Sequence, residues 1–505
     1  MSTPVSDNGN EVLRKSARIA GKNEYYLQTN GSASKSSFGD SISEQSQYVI
    51  QQSAQNGIRS NVETFTATGG SVSVTDNMFT CTTGTSVGGY GVIRSKKAGI
   101  YREGQGLTAR FTAIFDENAL ANSVQGAGLF NVQDTLAFGY YGADFGIIYE
   151  SYGAQQRGII EITAAASGSE TVTLTLNSVA YSIPVTNGTP QHNAYEIEQW
   201  LNDSNNQTLW TAQQIDNSIS FFRNNVGAAG GTYSVSSSGT LAGTVSIEQT
   251  GSAKDLTFIS QSDWNGKSLN NFNQHFGNIY MIKFSYLGFG PSYFYILDPE
   301  SKEFINVHTI SEMSEIEKPV ISNRALKIGW YAASLGSSGT SLTVRGASAS
   351  VAVDGDSRLL VETDSISASN PSVGTTFTSI LTLKPRDNFN SKAVLGAIRI
   401  KNLAISSDSS KEIRFFIAKN AALGETNFNY VEESESIALY DSTAHSFTTG
   451  KRVFDGQIGA AGNANIDLSD YNIDLVFGDS ITVFARVVSG AASSVTAGLV
   501  WKEDF

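Results

Sequence analysis

From about Thr64 onward, apolar side chains recur at alternate positions in short runs, and glycine, asparagine and serine separate the runs. A repeat of two puts every second side chain on one face of a strand, so "GVIRSKK", "GLTARFTAIFD", "TLAFGYYG" and "FGIIYES" each predict a strand of five to seven residues. Between about Gly158 and Ser260 the pattern changes. Val172, Leu174 and Leu176 alternate with Thr171, Thr173 and Thr175 in a predicted hairpin. "AYEIEQWLND" then places Ile197, Trp200 and Leu201 on one face of a helix about ten residues long. "SISFFRN", "GTYSVSSSG" and "GTVSIEQTG" return to strands.

The alternation is densest in "YMIKFSYLGFGPSYFYILDPESKEFINVHTI", residues 280–310. Ile282, Phe284 and Tyr286 point one way and Met281, Lys283 and Ser285 the other. Tyr293, Tyr295 and Leu297 alternate with Phe294 and Ile296. Asp298-Pro299-Glu300-Ser301 predicts a type I turn, because proline pre-sets the backbone at the second position and aspartate accepts from the backbone at the first. A ribbon apolar on both faces suits central strands of a two-layer sandwich. From about Asp354 a second series follows, including "TTFTSILTLKP", "AVLGAIRIKNLAISS", "EIRFFIAKN", "SITVFARVVSG" and "VTAGLVWKEDF". No fixed repeat period recurs, which favours a sandwich over a propeller.

The expected fold class is therefore mainly β: two β-sandwich domains, jelly-roll or lectin-like, with a small α+β module inserted in the first. The expected division is 1–55 as a flexible tail with a basic patch, 56–157 plus 261–350 as the first sandwich, 158–260 as the module and 351–505 as the second sandwich. With 505 residues, more than one core is expected. The module carries two basic residues, Arg223 and Lys254, against eight acids from Glu161 to Asp255, which sets it apart as acidic.

Charge narrows the classes. The net charge is -13 and no sustained basic stripe occurs, so nucleic acid is not an expected partner. No apolar run reaches the roughly 20 residues that span a bilayer, and no hydrophobic leader core precedes the strands, so a soluble, not classically secreted chain without membrane insertion is expected. The single cysteine, Cys81, excludes an intrachain disulfide and a thiolate cluster and reads as a small buried hydrophobe. Before the strands, "LRKSARIAGK" gathers Arg14, Lys15, Arg18 and Lys22 between Glu11 and Glu24. This patch fits a solvated tail or a basic tether that docks on an acidic partner surface.

Candidate chemistry is sparse. His192, His275, His308 and His445 are scattered without ligands at metal spacing, and each reads as a packed or hydrogen-bonded histidine. Asp298, Glu300 and Glu303 are explained by the turn. Asp354 and Asp356, and the series Asp467, Asp470, Asp474 and Asp479, lack the spacing of an EF-hand loop and read as solvated turns. No phosphate-loop motif and no nucleophile elbow occurs. Neither a metal nor a cofactor is expected. Tyr90, Tyr140, Tyr141, Tyr149 and Tyr152 lie in glycine-flanked segments that fit sheet packing or a sugar-stacking rim, and Tyr140, Tyr141 and Tyr149 are the glycan-binding candidates.

The constellation "SDWNGKSL", "YLGFGPSYFYI" and "EFINVHTI" resembles a virion-protein type of tailed phages and large eukaryotic DNA viruses. "SETVTLTLNSVAYSIPVTNG" looks like a module carried by such proteins, and "TLKPRDNFNSKAVLGAIRIKNLAI" with "DSITVFARVVSGAASSVTAGLVWKE" is similar to their C-terminal runs. The likeness covers about residues 60–505, and the basic leader inclines it toward the eukaryotic viruses. It implies a non-enzymatic structural protein of the particle, capsid-associated, spike or fibre-like, with a virion location after synthesis in the host cytoplasm. Other virion proteins, further copies of the chain and a host-surface glycan are the expected partners. A lectin-like carbohydrate-binding module and a glycan-cleaving enzyme are the alternatives.

Overall fold

The computed structural model describes residues 6–7, 11–19, 22–29, 47–101, 105–117, 120–206, 208–285, 289–311, 317–336, 340–353, 363–390 and 392–504, the first three of these as backbone only. The chain is mainly β, and every strand pairing among the described residues is antiparallel. Three main apolar cores divide it.

The first core lies between two sheets. One sheet runs in the order Phe304–Ile310, Ser292–Leu297, Asn278–Phe284, Leu107–Phe115, Thr343–Gly346, Met78–Thr82 and Ser71–Thr75, and Ser348–Val353 joins Leu107–Phe115 to Gln47–Ser53. The other runs Asp255–Ser260, Asp144–Ser151, Thr135–Tyr141, Ser123–Phe130, Ala325–Ser334, Tyr90–Ser95 and Val62–Ala67. Alternation delivers Phe111, Phe138, Tyr280, Phe284, Phe294 and Trp330 to the space between them, all essentially without exposure. Trp330 also ties the layers together, because its Nε1 donates to the Thr112 carbonyl at 2.8 Å.

The module has its own interior, built on Ile160, Val172, Leu174, Ile197, Leu201, Trp210 and Phe221. Its hairpin, Glu170–Leu176 with Val179–Val185, turns at Asn177 and Ser178, whose φ of 53° and 63° match the twist that a two-residue hairpin loop requires. The helix Pro190–Asn202 starts on Thr189, whose hydroxyl accepts from the His192 N–H, with proline in the first turn. The connections to the sandwich are neighbours: Ala154 bridges Ser252, and Ser151 pairs with Asp255. The third core, with Ile400, Phe415, Leu381 and Trp501, lies between a sheet centred on Ser493–Asp504 and Ala397–Ser407 and one centred on Thr378–Pro385, Ile481–Val487 and Ile413–Lys419.

Three expectations need correction. Gln47–Ser53 is a strand of the first sandwich, and Glu11–Ile19 pairs with Lys22–Thr29, so the first 55 residues are not an unpaired tail throughout. Asp255–Ser260 pairs with Asp144–Ser151 in the sandwich, whereas Gln155–Ala164 belongs to the module, so the boundary at 158–260 is displaced at both ends. The ribbon at 292–310 is not central: Phe304–Ile310 forms the sheet edge. Phe294 and Ile296 fill the core, while Tyr293, Tyr295 and Leu297 are half-buried on the outer face, with the Lys283 ammonium 5.9 Å from the Tyr295 ring. Tyrosine reads as apolar in a pattern, yet its phenol tip accepts water, so the second face need not be covered.

Candidate functional site at the junction of the three bodies

The outer face of the second sheet is lined by residues that alternate away from the core. Glu63 is paired across the ladder with Arg94, and Arg94 with Gly329. Gly329 is in turn paired with Gly128, so two adjacent central strands carry no side chain there and the sheet surface is hollowed. Arg94, Lys327, Phe130 and Tyr331 stand around the hollow. The Tyr331 ring lies against Gly126, where a Cβ would come within 2.2 Å of it. With 393–395 and 476–477 of the C-terminal body and Arg157, Phe222 and Val226 of the module closing over it, the hollow becomes a cavity of about 680 Å³.

Charge is held in pairs around this cavity. The Glu63 carboxylate accepts from Arg94 Nε at 2.5 Å and from Lys327 Nζ at 2.7 Å. The Arg94 guanidinium also lies 4.9 Å from the Phe65 ring. Burial lowers the Lys327 ammonium to about 8, although Glu63 pulls it back up. Lys254 donates to Glu150 at 2.8 Å and to the Thr135 hydroxyl at 3.0 Å.

Where the module meets the C-terminal body, Arg157 Nη1 lies 3.3 Å from Asp387 Oδ2, with side chains only 3% and 1% exposed. The Ser220 hydroxyl donates to the same oxygen at 2.9 Å, and Gln213 accepts from the Asp387 N–H while donating to the Pro385 carbonyl. Burial pushes the Asp387 carboxyl up, against Arg157 and Ser220, and pushes the Arg157 guanidinium down, against Asp387. The Phe222 and Phe477 rings meet edge-on at 5.7 Å beside the pair.

Between the first sandwich and the C-terminal body, Lys97 pairs with Asp474 at 2.5 Å and Lys96 pairs with Asp479; Arg399 and Lys419 reach the same two acids from within the C-terminal body. These two aspartates are thus anchors between bodies rather than solvated turns. Burial works to raise both carboxyls, but the lysines and Arg399 outweigh it and hold them below the usual aspartate range. A depressed folded value stabilises the protein above the unfolded value of about 3.9 and is lost as pH falls through the folded one. Thermal unfolding temperature should therefore drop below about pH 4, and a Lys96→Met, Lys97→Met variant should show a shallower drop; equal slopes would remove the anchor role.

The candidates from the sequence lie elsewhere. Tyr140 is 5% exposed in the first core, edge-on to Phe115 and Phe145, and accepts from Gln274 at 2.7 Å. Tyr149 packs against the same core and donates to the Val320 carbonyl at 2.7 Å. Tyr141 is on the opposite face, 36% exposed, against Phe258. The three do not form one rim, because alternation sends Tyr140 inward and Tyr141 outward. The side chains of Arg14, Lys15, Arg18 and Lys22, and residues Asp354 and Asp356, lie outside the described residues.

The remaining candidates are engaged in ordinary contacts. Cys81 is fully buried, its thiol pushed up to about 12. All four histidines have hydrogen-bond partners, such as Asp441 for His445 and Glu425 for His192. Asp298 accepts from the Ser301 N–H at 2.8 Å, as the turn requires. Among the described residues no group of three His, Cys, Asp or Glu could hold a metal ion.

No family model and no curated protein matches the chain. Among solved structures, arcelin-5, a lectin-like defence protein from Phaseolus vulgaris, aligns over 60% of this chain and 97% of its own at 8% identity and a TM-score of 0.22. The structure described as the triple jelly roll fold and turret assembly in an archaeal virus aligns over 88% of both chains at 8% identity and a TM-score of 0.17. That of Sulfolobus turreted icosahedral virus aligns over 92% of both at 10% identity and a TM-score of 0.16. At these TM-scores the likenesses carry no argument, and the β architecture rests on the strand pairings themselves.

Proposed function

We propose that the chain is a non-enzymatic structural protein of a virus particle surface, a capsid-associated, spike or fibre component that assembles as several copies and is tethered by its basic leader. The observation that carries the reading is how the three bodies are joined. Five acids at the junction, Glu63, Glu150, Asp387, Asp474 and Asp479, are each bonded to a lysine or arginine, and three of these pairs, at Asp387, Asp474 and Asp479, join different bodies. Carboxylates committed to cations in this way serve attachment between layers; an acid–base pair for glycoside cleavage needs two carboxyl groups facing a substrate about 5–10 Å apart. A rigid block repeated over a particle also multiplies weak surface contacts, which is how host-glycan attachment would operate without a deep sugar pocket.

The test is composition and position. Mass spectrometry of gradient-purified particles should contain the protein, and antibody labelling of intact particles should reach it. Removing residues 1–46, which stops short of the strand Gln47–Ser53, should leave a folded protein that no longer joins particles. Absence from particles, or release of oligosaccharides from host polysaccharide by the purified chain, would overturn the proposal.

A further inference from the structure

The junction cavity has more cation than its own acids use. Arg94 and Lys327 share the single Glu63 carboxylate, which leaves one positive charge in surplus at the hollow. Among the described residues, the terminal nitrogens of Arg94 donate no hydrogen bond, and Lys327 spends one of its three donors, on Glu63. Both side chains are largely withdrawn from solvent, at 15% and 13% exposure. A withdrawn cation with open donors is costly to leave with water alone, and a charge-assisted bond to an anion would satisfy it.

The rest of the cavity is of another character. Phe130, Tyr331, Val226, Leu395, Val476 and Phe477 form walls that are mostly apolar. Of the lining carboxylates, Glu63 accepts from two cations, Glu150 from Lys254 and Thr135, and Asp387 is paired with Arg157. The volume of about 680 Å³ falls within the range of about 300–1,000 Å³ typical of small-molecule sites.

We propose that this cavity binds a small amphiphilic anion, one carboxylate or sulfate on an apolar body, with the head group on Arg94 and Lys327 and the body against Phe130, Leu395 and Phe477. The ligand fills the space between the first sandwich and the C-terminal body, and displaces water that the apolar walls hold poorly. This site is independent of where the protein resides.

Calorimetric titration of the full chain with decanoate, with decyltrimethylammonium as the cationic counterpart and glucuronate as the sugar acid, tests it. Decanoate should bind one to one and neither of the others should. Because the Lys327 ammonium titrates near 8, decanoate affinity should fall between pH 7 and pH 9. Lys327→Met should weaken binding about tenfold, the effect of losing one charged bond, and should flatten that pH dependence. Leu395→Trp, which fills the apolar end without touching the ion pair, should abolish binding while circular dichroism stays unchanged. No decanoate binding, equal binding of the cationic counterpart, a preference for glucuronate, or affinity unmoved by both variants would each overturn the proposal.

Discussion

Arg157→Met lowers the unfolding free energy by about 3–5 kcal/mol, the usual cost of stranding one partner of a buried ion pair. Asp387 is the group stranded. It is fully buried, its Oδ1 already has no hydrogen-bond partner among the described residues, and burial raises its carboxyl even with Arg157 present. Methionine keeps most of the packing against Phe222, which lies 4.7 Å from the guanidinium, so the loss reports the charge rather than a cavity. The double variant Arg157→Met, Asp387→Leu should recover much of the loss, since an apolar pair of similar volume needs no solvation. Urea unfolding of the three proteins checks this. A single variant within about 1 kcal/mol of the parent would mean that water reaches Asp387 and that the module is held by its other contacts.

Trp330→Ala should cost about 3–5 kcal/mol through the void it leaves in the first core. The ring is 0% exposed, sits 5.3 Å from Phe79, and contributes the bond to Thr112 that crosses from one sheet to the other. Trp330→Phe separates the two effects, because it keeps much of the apolar volume and orphans the Thr112 carbonyl; about 1–3 kcal/mol should be lost in that case. Thermal and urea unfolding followed by near-ultraviolet dichroism give both values, and a Phe variant as damaged as the Ala variant would place the whole effect in shape.

Much of the strand content is legible because it depends on neighbours in sequence. Val172, Leu174 and Leu176 are buried as their alternation requires, and the helix buries Ile197 and Leu201 from the face they share. Cys81 and the turn at Asp298 likewise follow from local chemistry. The junction is illegible for the opposite reason. Glu63 and Lys327 are 264 positions apart, and Lys97 and Asp474 are 377 apart, so nothing in either segment announces its partner. A charged residue at an outward strand position, such as Arg94 in "GVIRSKK" or Lys327 in "ALKIGWYAA", looks merely solvated until another body covers it. The tyrosines fail as a rim for a related reason: proximity along "GYYG" puts Tyr140 and Tyr141 on opposite faces. Asp255–Ser260 carries the same strand texture as the module beside it, and only its pairing partner assigns it to the sandwich.

The neck formed by Ala154 and Ser252 has an evolutionary implication. Since Ser151 and Asp255 are adjacent rungs, the host ladder closes at the neck without help from the insert, and this geometry would let a different insert occupy the slot. The present occupant carries Arg157 with it, so any replacement must also evolve an answer to Asp387, and that requirement limits which substitutes the slot can accept.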